Sequence, residues 1–169
     1  MKLLFSTGKD HTASAICAFT WSRWSHVDLL SSDGKSVIGA VIGRGVVHVT
    51  IASRLAESRR AAVMDLDDIV GPLETTVWRF AQMQVGKPYD LTAVIGLSLH
   101  RCWSEPDSWF SSELVATALD WAGCCPYDKL YTRRITPQDL WVLNRPKWTL
   151  DLAAPVLEPP VTDAYGQPV

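Results

Sequence analysis

The sequence predicts an α+β fold, an antiparallel β-sheet packed against helices. Three observations carry that expectation. Between residues 25 and 51, short runs rich in β-branched residues alternate with turn-formers: SHVDLL, SSDG, KSVIGAVI, GRG, VVHVTI. Beyond Leu66, apolar residues recur at helical spacing. A chain of 169 residues is long enough for one domain with a substantial core.

The elements follow in order. Leu3–Phe5 is short, apolar and strand-like, and His11–Thr20 has the apolar content of a helix (Ala13, Ala15, Ile16, Ala18, Phe19). Ser25–Leu30 reads as a strand ended by Ser31, Ser32, Asp33 and Gly34, and Lys35–Ile42 as its neighbour. Gly43-Arg44-Gly45 makes a tight turn into a strand over Val46–Ile51. Two hairpins in succession imply antiparallel pairing. Ala52–Arg60 is a short helix or turn, and Ala61–Leu66 a further strand. Asp67–Val85 is helical, with Val77, Phe80, Ala81 and Val85 on one side, and Gly86-Lys87-Pro88-Tyr89-Asp90 stops it. Leu91–Leu99 suits a short buried helix. Ser111–Trp121 is a helix ended at Gly123, and Thr136-Pro137 opens another. Residues 1–152 form one domain, and 153–169, with four prolines, an extended or disordered tail.

Composition excludes several function classes. A net charge of −2 gives no electrostatic case for nucleic acid, and the pairs Arg59–Arg60 and Arg133–Arg134 read as solvated surface. No apolar run reaches membrane-spanning length, and the start, MKLLFSTGKDH, is too short for a signal-peptide core. The expectation is a chain made in the cytoplasm. Cys17, Cys102, Cys124 and Cys125 fit no zinc or redox spacing and read as structural thiols.

Chemistry concentrates at Asp107–Ala116, DSWFSSELVA. A helix opening at Ser111–Ser112 presents the positive end of its dipole to whatever side chain stands there. That environment favours a thiolate, and does far less for a serine, whose hydroxyl needs a base in contact. Taken alone, serine at a helix start is an N-cap, and Glu113 in the first turn suits the dipole. His26 lies in SHVDLL, where alternation puts His26, Asp28 and Leu30 on one face and Ser25, Val27 and Leu29 on the other. His48 shares a face with Val46 and Thr50. His11 and His100 fall in no matching motif, and Trp103 and Trp109 read as packing residues.

Three segments in this order, Ser25-His26-Val27, Gly86-Lys87-Pro88-Tyr89-Asp90 and Trp109-Phe110-Ser111-Ser112-Glu113-Leu114, resemble the circularly permuted NlpC-type papain-like cysteine hydrolases. That branch holds the YiiX-like proteins and the lecithin retinol acyltransferase group, and the resemblance spans about residues 21 to 143. It implies a papain-like fold in permuted NlpC-type order and a thiol-type peptidase or amidase acting on cell-wall (peptidoglycan) peptides. The alternative from the same branch is a lipid-directed esterase, amidase or acyltransferase. A peptide or lipid-like acyl group is then the partner, and no metal or organic cofactor is implied.

The resemblance makes Ser111 the nucleophile position, where cysteine is expected, and His26 the general base. Tyr89 and Ser112 fall beside the oxyanion and substrate. The third residue of such a site is expected on the next strand near Gly39, where no polar group stands, so Asp28 or His48 is left as the orienting residue. Serine at 111 fits a replaced cysteine, a slow serine hydrolase or a ligand-binding pseudoenzyme. A wall-directed enzyme without a leader would need export by phage lysis or secretion machinery.

Overall fold

The structure is a computed structural model that describes residues 1–90, 108–125, 127, 135–142 and 148–150. Strand β1 (Lys2–Gly8) leads into helix α1 (His11–Phe19). Strands β2 (His26–Leu30), β3 (Ser36–Val41) and β4 (Gly45–Thr50) follow as two hairpins. Helix α2 (Ile51–Ala56), strand β5 (Ser58–Asp65) and helix α3 (Pro72–Gln84) come next, then α4 (Ser111–Trp121), α5 (Pro137–Val142) and β6 (Trp148–Leu150). The six strands form one sheet in the order β4-β3-β2-β1-β5-β6, and all five neighbouring pairs run antiparallel. The expected α+β class, an antiparallel sheet packed against helices, is thus the observed one.

Several boundaries differ from the sequence reading, and one strand is new. Helix α3 begins at Pro72, not Asp67, because Gly71 takes φ 59° and Pro72 suits the first helical turn. Strand β5 begins at Ser58, where the chain leaves α2 directly for the sheet. Strand β6 escaped notice because three residues carry no readable alternation. The segment 91–99, Cys102 and the tail 153–169 lie outside the described residues.

The sheet divides the interior. On one side, Leu3, Phe5, Val27, Leu29, Ile38, Ala40 and Val46 pack against Val77 and Ala81 of α3 and Leu114, Val115, Ala118 and Leu119 of α4. On the other, Leu4, Leu30, Val37, Ala61 and Val63 meet Ile51 and Leu55 of α2. The alternation along β2 decides which chemistry faces which side. Val27 and Leu29 carry α4, while His26, Asp28 and Leu30 point to the α2 side.

Candidate active site

The three motif segments meet at one end of the sheet. Helix α4 packs on β2 and β3, which brings WFSSEL over the SHV strand. The 86–90 stretch joins them by backbone pairing. Trp109 N–H donates to Pro88 O (3.1 Å), and Asp90 N–H donates to Trp109 O (3.0 Å), a parallel bridge between Tyr89 and Trp109. The same stretch is tied to the β3–β4 hairpin. Val46 N–H donates to Lys87 O and Gly86 N–H to Val46 O, each at 2.9 Å. Gly45 makes this approach possible, since a Cβ there would lie 2.3 Å from Lys87 O, and its φ of 72° is one that side chains disfavour.

Ser111 is the first residue of α4 and is buried. It is not the helix cap. Phe110 takes that position with extended backbone, and its side chain offers no acceptor to the helix. Ser112 Oγ donates to Ile135 O (2.6 Å), which commits its hydroxyl to the core and leaves only its backbone N–H for the helix mouth. Glu113 is buried in the same first turn. Tyr89 is half-buried, and its phenol is pushed well above the usual range by burial, with the nearby Asp90 charge adding to it. The hydroxyl therefore stays protonated at neutral pH and can act as a donor.

On β2, the His26 Nε2–H donates to Asp28 Oδ1 at 2.8 Å. A carboxylate only accepts, so this contact selects the tautomer with the proton on Nε2 and the lone pair on Nδ1. Same-face residues two apart lie roughly 6.5 Å from each other along a strand, and the two side chains bridge that separation. Asp28 is fully buried. Burial alone would raise its pKa, but the contacts with His26 and Arg54 outweigh it and hold the carboxyl below the ordinary value.

Near Gly39, where β3 carries no polar side chain, stands the Asp28 carboxylate. A Cβ on Gly39 would lie 1.9 Å from Asp28 Oδ1 and 3.2 Å from His26 Nε2. The missing side chain on β3 is the space the Asp28 carboxylate occupies. The paired register of β2 and β3 stops at Leu29↔Ile38, so His26 and Asp28 lie beyond the last paired position. His48, the other candidate orienter, is elsewhere. It is exposed, with Nε2 2.9 Å from Ser36 Oγ and its ring edge-on to Trp78.

Sequence reasoning passed over Arg54, which holds Asp28 from α2. Its Nε donates to Asp28 Oδ2 (2.8 Å) and its Nη2 to Asp28 Oδ1 (3.1 Å), a two-pronged clasp buried on both sides. A signal was available. Ile51, Arg54 and Leu55 share one helical face, and an arginine inside an apolar stripe asks for a buried anion.

His26 opens into a cavity of about 300 Å³, with Ser6, Ser25, Arg54, Ser58 and Tyr89 among its walls. Ser111 is not among the described residues that line it. Helix α4 covers the Val27 and Leu29 side of β2, whereas His26 points to the other side.

No family model matches the chain, and neither does any curated protein. Among solved structures, the chain is similar to the metalloprotein yiiX from Escherichia coli O157:H7, with a TM-score of 0.60 and 21% identity over 75% of this chain and 68% of that one. Among the described residues no group of three or more His, Cys, Asp or Glu side chains gathers, and a cation beside His26 and Asp28 would meet the Arg54 guanidinium. What the two proteins share is architecture: this chain has the α+β, papain-like fold of yiiX.

Proposed function

We propose that the protein is an acyl-directed hydrolase site of the thiol type, with residue 111 in the nucleophile position and His26 as general base. The observation that carries the reading is the His26 Nε2–Asp28 contact of 2.8 Å, which leaves Nδ1 as the basic nitrogen. In the reaction, the 111 side chain attacks the carbonyl carbon as His26 Nδ1 takes its proton. The oxyanion is held by amides at the start of α4, with the protonated Tyr89 hydroxyl as a further donor. His26 then returns the proton to the leaving amine, and water, deprotonated in turn by His26, releases the acid. The sequence resemblance favours a cell-wall peptide amide as substrate.

Serine at 111 favours a second reading, retention of the ligand without turnover. A hydroxyl gains little from a helix dipole, whereas a thiol in that place becomes a thiolate. Ser111→Cys separates the two. The hydrolase reading expects this variant to react with iodoacetamide faster than Cys17, Cys124 and Cys125, whose thiols burial pushes up. It also expects Ser111→Cys to hydrolyse peptide amides, and adding His26→Ala to abolish both properties. Ligand binding with neither labelling nor hydrolysis would leave a binding module in its place. Faster cleavage of long-chain esters than of peptide amides would move the substrate to the lipid-directed alternative.

A further inference from the structure

We infer that Arg54 is a positioning residue, which fixes the His26 imidazole by clasping the Asp28 carboxylate from α2. The inference deepens the proposed hydrolase reading and rests on it for its catalytic meaning.

The geometry leaves Asp28 a single orientation. Its carboxylate lies in the hollow over Gly39, with no side chain of β3 to hold it there. Arg54 supplies two donors in the plane of the carboxylate, one to each oxygen, and His26 takes the remaining site on Oδ1. A planar guanidinium matches a carboxylate in this two-point way, which an ammonium cannot do. Arg54 is itself anchored. Its carbonyl accepts from Ser58 Oγ (2.8 Å), and its Nη1 reaches Glu57 Oε2 (3.5 Å). Thr50 caps its helix through Ser53 N–H (3.2 Å). The chain of contacts thus runs from the α2–β5 junction, through Arg54 and Asp28, to the proton on His26 Nε2.

A merely structural arginine would neutralise Asp28 without caring how the carboxylate is turned. The positioning role differs in one observable, the tautomer of His26. In ¹⁵N-labelled protein, wild type is expected to show His26 in the Nε2–H form, with a slowly exchanging Nε2 proton. Arg54→Met is expected to lose that proton signal and to show a mixture of tautomers. Arg54→Lys keeps the charge but offers one prong, so it is expected to fold when Arg54→Met does not, and to show partial loss of the Nε2–H form. In the Ser111→Cys background the same substitutions are expected to lower kcat about tenfold or more, short of the 10²–10⁴-fold of removing the base. An unchanged His26 tautomer in either folded variant would overturn the inference and leave the hydrolase reading standing. Tautomer loss in a protein whose Ser111→Cys form shows no hydrolysis would retain the clasp and refute the hydrolase.

Discussion

Gly39 is where one absent atom shapes the site. Adding a methyl group there drives it into a carboxylate that Arg54 holds on both oxygens, so neither neighbour yields easily. Gly39→Ala is expected to cost about 1–3 kcal/mol by chemical denaturation, the range for overpacking. The penalty should shrink in an Asp28→Ala background, and a cycle showing simple additivity would place the clash elsewhere. Asp28→Asn strands a buried guanidinium, for which about 3 kcal/mol is expected. The pH dependence follows from sign. The Asp28 pKa is lowered in the folded state, so its stabilisation is complete above the unfolded value of about 3.9 and is lost as pH falls through the folded value. The gap in thermal midpoint between wild type and Asp28→Asn should therefore be wide at neutral pH and narrow below about pH 4. At this scale the sequence made half of the pair legible. Strand alternation places His26 and Asp28 on one face, but the empty volume at Gly39 belongs to a neighbouring strand and appears only once β2 and β3 are side by side.

Elements place these groups, and their ends matter more than their middles. Helix α1 is capped by Asp10, whose Oδ1 accepts from Ala13 N–H (2.6 Å), next to the cavity that His26 faces. Asp10→Ala should lower stability by about 1 kcal/mol in a denaturant titration, and no change would mean the cap is replaced by water. Helix α4 is the opposite case, starting on Phe110 with no side-chain acceptor. Helix α4 was readable from SSELVATALDW because its apolar positions and the Gly123 stop agree. Helix α2 was ambiguous because six residues between two strands carry too little periodicity, and the ambiguity hid Arg54. Helix α3 was extended too far because Asp67 and Asp68 look like a helix start, while Gly71-Pro72 sets the real one.

For the molecule as a whole, the sheet separates two jobs. The α3 and α4 side is the large apolar core, and the α2 side carries the charged clasp and the cavity. Truncating the core should act on folding alone. Leu114→Ala is expected to cost about 2–5 kcal/mol in denaturation without altering the His26 tautomer. Among the described residues no helix is long and apolar enough to cross a membrane. The fold class was legible because the hairpin signals over residues 25–51 and the helical spacing beyond Leu66 fall in separate stretches of the chain. The order of the sheet, with β1 at its centre and β5 beyond it, was not, because pairing between β1 and β5 joins segments fifty or more residues apart. If residue 111 and His26 form one acyl-transfer site, the pH dependence of thiol labelling in Ser111→Cys changes when His26 is replaced. Fast labelling at neutral pH is expected with His26 in place, falling to the rate of an ordinary thiol in the His26→Ala double variant. Equal labelling rates with and without His26 would contradict it.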